Sequence, residues 1–303
     1  MHPIVVTSVE QLENVAGTTR REFLRRGLIA GGGMLALGSY ASVFEPRHVV
    51  VRSVELTLAR LPEAFAGIRI AHISDIHFED YLPASHVENV VELTNQYAPD
   101  LVVLTGDFVS RPWNASHKYL KPAAMKAAAC APILTRLKAG LGRFAVLGNH
   151  DASTQPDIVT DALMANGIET LRNRAVPVER AGARIWMAGV DDVVENLGDI
   201  PKTFSGVPRG ELAIALVHEP DPADEVVKYG ADLQLSGHSH GGQVRIPFVG
   251  APVLPSLGKK YPLGWYKIGN MQLYTNPGIG VVGLPFRFDC PPEITVFTLQ
   301  LGT

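Results

Sequence analysis

The sequence predicts an α/β domain built on a largely parallel sheet, and three observations lead there. Five short apolar runs, rich in Val and Ile, have the length of buried strands. Stretches with apolar residues at helical spacing lie between several of them, and strand–helix–strand alternation produces parallel pairing. Each of the five runs ends abruptly in Asp, Asn or His, and sites in such sheets form beyond the carboxyl ends of the strands. The 303 residues are 46% apolar, enough for one large domain or two small ones, and 29 Gly with 22 Pro imply plentiful loops.

The chain opens with an address. Thr19-Arg20-Arg21-Glu22-Phe23-Leu24-Arg25-Arg26 precedes an apolar, glycine-rich run from Gly27 to Val43. A basic start, a short apolar region and a small-residue site such as Ser39-Tyr40-Ala41 form an export signal. The paired arginines before Phe23-Leu24 are similar to the twin-arginine type. An ordinary amphipathic or buried helix fits less well, since Gly31, Gly32 and Gly33 each cost about 1 kcal/mol in a helix standing alone. The run is just long enough to span a bilayer, so an uncleaved membrane anchor stays open. Residues 1–45 are therefore read as signal or anchor, and the catalytic domain is expected over 46–303.

The body repeats one pattern. Ile68–Ser74 leads to Asp75-Ile76-His77, and Leu101–Thr105 to Gly106-Asp107. Arg143–Leu147 leads to Gly148-Asn149-His150-Asp151, Ala213–Val217 to His218, and Asp232–Ser236 to Gly237-His238-Ser239-His240. Helices are expected over Ser85–Tyr97, Ala123–Leu137, Asp157–Asn166 and Asp221–Tyr229, the last two closed by Gly167 and Gly230. Gly106, Gly148 and Gly237 each stand directly before a polar tip, where the backbone has to turn sharply and approach closely. Five tips at one end of a sheet can converge.

Asp, His and Asn offer hard oxygen and borderline nitrogen donors, which suit Mn, Fe, Zn or Co and argue against iron–sulfur or structural zinc sites. The ordered set D-x-H, G-D, G-N-H-D, a lone His and G-H-x-H, spanning Ile68 to His240, resembles the calcineurin-like metallophosphoesterases. The resemblance implies a four-layer α-β-β-α sandwich of two mixed sheets and two divalent metal ions. It puts Asp75, His77 and His240 on one metal, Asn149, His218 and His238 on the other, and Asp107 between them. It implies attack of a bridging metal hydroxide on phosphorus, with His150 as the general acid at the leaving oxygen. Arg111 falls where one branch has a phosphate-binding arginine, with a solvated loop arginine as the plain alternative. That branch has an aspartate where this chain has Ser110, so a partner for His150 comes from elsewhere, Asp151 being a candidate.

Gly237-His238-Ser239-His240-Gly241-Gly242-Gln243 and the tail through Leu284-Pro285-Phe286-Arg287 are similar to a bacterial branch of exported or membrane-attached phosphodiesterases. That branch includes calcineurin-like enzymes hydrolysing UDP-2,3-diacylglucosamine. The resemblance implies a periplasmic or cell-envelope location and a phosphodiester substrate, small or lipid-linked. A phosphomonoesterase and a non-catalytic metal-binding scaffold of the same fold are the rival readings.

Other features read more plainly. His2, His48, His72, His86 and His117 lie outside the motifs and are assigned to structure or surface, His72 to the core. Ile246–Ile268, with Lys259 and Lys260, is either an apolar rim receiving an acyl chain or bilayer edge, or a meander closing a second sheet. Phe108–Leu120, with Trp113, is a second rim loop, and its Asn114-Ala115-Ser116 sequon is accidental behind a bacterial signal. Cys130 and Cys290 form no CxxC pair, although one bridge between them stays open. A net charge of −3 without a Lys/Arg stripe argues against a nucleic-acid partner.

Overall fold

Strand burial decides the layering. Leu101 and Val103 join one apolar cluster while Val102 and Leu104 join another, as a two-residue side-chain period requires. The computed structural model describes residues 19–113 and 116–302. The first 18 residues of the leader and the Asn114-Ala115 part of the sequon lie outside them. Twelve strands form among the described residues: β1 Val50–Leu58, β2 Arg69–Ile73, β3 Leu101–Thr105, β4 Arg143–Val146, β5 Glu169–Thr170, β6 Arg174–Arg180, β7 Ala183–Gly189, β8 Ala213–Leu216, β9 Leu233–Ser236, β10 Gly264–Ile268, β11 Met271–Thr275 and β12 Glu293–Leu301.

They make two six-stranded sheets, ordered β1-β12-β2-β3-β4-β5 and β10-β11-β9-β8-β7-β6. The centres of both sheets are parallel, as the alternation predicts, and antiparallel pairing enters where β12 meets β2 and at the β6–β7 and β10–β11 edges. The sheets face one another across a shared core that includes Ile70, Leu101, Val103, Ile214, Leu216 and Leu235.

Eight helices lie among the described residues. They are α1 Arg20–Ser39, α2 Ala84–Gln96, α3 His117–Met125, α4 Ala127–Leu134, α5 Asn149–Thr154, α6 Pro156–Ala165, α7 Ile200–Phe204 and α8 Ala223–Val226. Several of those from α2 onward cover the outer faces of the two sheets. Val87 and Val91 of α2, Cys130 and Leu134 of α4, and Leu163 of α6 pack behind the first sheet. Phe204 of α7 and Val226 of α8 pack behind the second. The layering is thus the α-β-β-α sandwich that the resemblance implied. The single helix expected over Ala123–Leu137 is instead two, α3 and α4, with a proline inside each, Pro122 and Pro132, and each proline removes a backbone donor.

The chain divides into one unit ending at Tyr40 and a second from Ala41 to Thr303. In the first, α1 opens with a Thr19–Glu22 capping box and runs unbroken through Gly31, Gly32 and Gly33, with no residue buried. It is neither the amphipathic nor the buried helix that the glycines argued against. The second unit starts ahead of the Pro46 expected from sequence. Ala41, Glu45 and Pro46 are buried, and the Glu45 carboxylate accepts a bond from the Cys290 N–H at 2.7 Å. Both cysteines are free.

Candidate metal centre

The polar tips leave their strands by an unusual backbone. Asp75, His77, Asp107, His238 and His240 all carry left-handed φ angles, between 45° and 68°. Such conformations are sparsely populated for residues with a Cβ and gather at functional sites. The sharp turn expected at the preceding glycines is made there by Gly106 alone, at φ +90°, and otherwise by the polar residues themselves. Gly148 and Gly237 serve close approach. A Cβ on Gly148 would lie 2.3 Å from Asp107 Oδ1, and one on Gly237 2.1 Å from Asp75 Oδ2.

The seven side chains meet at one place, with donor atoms facing donor atoms. His77 Nε2 lies 3.1 Å from His240 Nε2, which is 3.2 Å from Asp75 Oδ1. Asp107 Oδ2 sits between the two halves, 3.6 Å from His77 Nε2 and 3.3 Å from His218 Nε2. His238 Nδ1 and Asn149 Oδ1 are 2.9 Å apart.

Partners behind the rings fix where the lone pairs point. His218 Nδ1 donates to the Thr105 carbonyl at 2.6 Å, leaving Nε2 buried without a hydrogen-bond partner among the described residues. His238 Nε2 donates to the Ser256 carbonyl at 2.7 Å, which leaves Nδ1 as an acceptor. Ser110 donates to Asp80, so its oxygen accepts from His77 Nδ1 at 2.9 Å and frees Nε2. Acceptors crowded together in a buried site are unfavourable unless a cation lies between them, and carbonyl or hydroxyl partners behind the ring are the usual support of ligating histidines. The donor set therefore fits divalent cations.

The charges agree. Burial would push Asp75 up, but His240 beside it holds the carboxyl below its usual range. Burial would likewise raise Asp107, and His218 with His150 and His77 holds it well below. Burial keeps His77 neutral against the pull of Asp107, and burial with His218 nearby lowers His238 to about 4. Only His218 moves upward: burial opposes its charge, and Asp107 and Asp75 overcome burial.

His150 stands beside this cluster, its ring 4.8 Å from that of His77. Its Nδ1 accepts from the Arg111 backbone N–H at 2.8 Å, so the neutral ring carries its proton on Nε2. Asp151 is not its partner. That carboxylate is buried and accepts from the Gly148, Phe108 and Val109 N–H groups instead, holding the loop together. The Arg111 guanidinium is 3.8 Å from Glu195 and lines a cavity of about 590 Å³ with Trp113, Tyr119 and Lys126.

A second cavity of about 440 Å³ opens over Asp107, Asn149, His238 and His240, walled by Val253, Leu254, Leu284 and Phe286. Of the stretch expected as rim or meander, the structure makes both: residues 246–263 loop past the cavity and Gly264–Ile268 forms the edge strand β10. Lys260 is not in the rim but paired with Asp224 at 2.5 Å.

One residue had no role assigned from sequence. Arg287 is fully buried, bonds the carbonyls of Pro277, Gly278, Gly280 and Cys290, and reaches within 3.5 Å of His240 Nδ1. Its place in the 284–287 motif was the only available signal.

Comparison with known proteins follows the same lines. Over 288 residues the chain is 36% identical to uncharacterized metallophosphoesterase YkuE of Bacillus subtilis (strain 168), covering 93% of this chain and 98% of that one. It is 29% identical to phosphodiesterase YaeI of Escherichia coli (strain K12), covering 80% of this chain and 86% of that one. It is also 29% identical to a transmembrane protein with metallophosphoesterase domain of Danio rerio, covering 88% of this chain and 60% of that one. Residues 68–242, which hold every convergent side chain described above, match the family described as calcineurin-like phosphoesterase, and the chain belongs to that family of phosphoester hydrolases.

Proposed function

We propose that this chain is a metal-dependent phosphodiesterase with a binuclear centre. The observation that carries the reading is the set of facing acceptors: His77 with His240, His218 with Asp107, and His238 with Asn149. Two clusters of lone pairs sharing Asp107 call for two cations. Asp75, His77 and His240 would hold one, Asn149, His218 and His238 the other, with Asp107 between. Mn, Fe, Zn or Co suits these donors. Such ions, when bound, act as Lewis acids on the phosphoryl oxygens and make water acidic enough to attack at neutral pH. His150 presents its Nε2 proton to the departing oxygen, positioned by the Arg111 N–H. Arg111 itself has its guanidinium in the adjoining cavity, where it meets the outer part of a substrate.

The phosphodiester reading is supported by the likeness to YaeI and by the two cavities that flank His150, one for each arm of a diester. The apolar wall of one cavity favours a lipid-linked arm. We read α1, with Arg20 and Arg21 at its start, as a twin-arginine signal or anchor that places the enzyme in the cell envelope. Replacing Arg20 and Arg21 by lysine is expected to retain the protein in the cytoplasm of a bacterial host, as fractionation would reveal.

Asp107→Asn or His238→Ala should abolish turnover of bis(p-nitrophenyl) phosphate, by more than about 10²-fold, with an unchanged circular dichroism spectrum. Near-normal turnover in both variants refutes the assignment. A faster reaction on p-nitrophenyl phosphate than on the diester would make the enzyme a phosphomonoesterase. A protein that carries metal but hydrolyses neither would be a scaffold.

A further inference from the structure

The wall of the active-site cavity is hydrocarbon where a small anionic substrate would call for polar groups. Val253, Leu254, Leu284 and Phe286 supply that wall, and the loop leading to Val253 carries further apolar side chains. Phe248 is fully exposed, and Val249 and Val253 are 73% and 75% exposed. Phe248 sits in the tight turn closed by the Ile246–Gly250 bridge, at a left-handed φ of 67°. That backbone is an outlier for a bulky residue, and it presents an aromatic ring to solvent. Trp113, 84% exposed, lines the adjoining cavity and stands beside Gly283, which lines both, with its ring 3.9 Å from where a Cβ there would begin. Large exposed apolar side chains gathered near a ligand cavity mark an interaction site.

The route of the chain indicates what that surface meets. Ala41, where the catalytic unit begins, gives its carbonyl to the Arg287 N–H at 2.8 Å. Glu45 is fastened to Cys290 in the same way. The start of the unit is thus tied to the segment whose Leu284 and Phe286 wall the cavity. Immediately ahead in the chain is α1, the helix among the described residues that is long and apolar enough to cross a membrane.

We propose that the exposed apolar side chains of Phe248, Val249, Val253, Leu284 and Trp113 dock the protein on a lipid bilayer. The apolar arm of an amphiphilic phosphodiester then passes from the membrane into the 440 Å³ cavity without crossing water. This deepens, and rests on, the phosphodiesterase reading of the metal centre. Each apolar side chain that enters the bilayer interface adds to binding in proportion to its buried area. The aromatic Trp113 suits the headgroup level, where one end of the ring is apolar and the other wet.

The test uses the full chain, loaded with Mn²⁺ and reconstituted in vesicles of phosphatidylcholine and phosphatidylglycerol. Two chromogenic diesters share a leaving group: soluble bis(p-nitrophenyl) phosphate and bilayer-borne hexadecyl p-nitrophenyl phosphate. Phe248→Asp with Val249→Asp should cut hexadecyl diester turnover about tenfold or more, while leaving the soluble diester unchanged. Aspartate tolerates the left-handed backbone at position 248 better than phenylalanine, so folding is spared. In parallel, brominated phosphatidylcholine should quench part of the tryptophan emission, and Trp113→Phe should remove that part. Equal loss or equal retention on both substrates overturns docking, as does quenching that survives Trp113→Phe. If the wild type turns over neither diester, the phosphodiesterase reading fails instead, and Trp113 quenching alone then decides whether the surface docks.

Discussion

A side chain that ligates must be aimed, and here the aiming is done largely by backbone that resists it. Each left-handed residue with a Cβ costs about 1–3 kcal/mol, and five candidate ligands are in that state. Contacts that need the strained geometry offset the cost: the His238 N–H donates to Asp75, and the His150 N–H donates to Asp107 at 2.9 Å. The same closeness makes Gly237 irreplaceable. Gly237→Ala puts a methyl against Ser74 and Asp75, and it should lower Mn²⁺ affinity at least ~10-fold, measured by isothermal titration calorimetry. Arg287 acts from behind. Its guanidinium satisfies four carbonyls and backs His240, and a lysine cannot reproduce that fork. Arg287→Lys is expected to destabilise the fold by about 3 kcal/mol in urea melts. It should also weaken Mn²⁺ binding roughly 10–100-fold. Destabilisation with unchanged Mn²⁺ affinity would confine Arg287 to a structural role.

Among the elements, β2 carries both a site and a liability. Its His72 is wholly buried, with Nε2 2.8 Å from Thr105 Oγ1 and Nδ1 unpartnered among the described residues, and burial lowers it to about 3. The unfolded chain binds that proton near its ordinary value of about 6.5. The folded pKa is depressed, so stability is full above about pH 6.5 and drains away as pH falls toward about 3. Between pH 7 and about pH 5 the loss from His72 amounts to about 2 kcal/mol. His72→Gln should remove that part of the acid sensitivity, measured as the difference in urea midpoints at the two pH values. The elements legible in sequence were those buried on both faces, such as β3 and β8, whose unbroken apolar runs have only one reading. β1 alternates exposed with buried positions, and its partner β12 lies at the far end of the chain; no local pattern announces such a pairing. The tips were legible because each closes a visible strand. The Ser110, Arg111 and Thr105 groups behind the histidines were not, because what places them is how loops cross in space.

At the scale of the whole molecule, the candidate centre joins the two sheets. Asp75, His77, Asp107 and Asn149 follow β2, β3 and β4 of one sheet, whereas His218, His238 and His240 follow β8 and β9 of the other. The sheets already share an apolar core, so the fold does not depend on cations to form. Yet the facing acceptors at its rim repel while the site is empty, and cations relieve that repulsion only in the folded state. A ligand binding the native state alone adds about 2.7 kcal/mol at a hundredfold excess over its dissociation constant. For a domain of this size each kcal/mol moves the melting temperature by about 2–4 °C. Chelation of the full chain in detergent should therefore lower the melting temperature by about 5–10 °C, and added Mn²⁺ should restore it. In Asp107→Asn the carboxylate shared by both halves has gone, so the same treatment should shift the melt by less than half as much. A melt indifferent to chelator and Mn²⁺ in the wild type would mean that the tips of the two sheets meet without holding a metal between them.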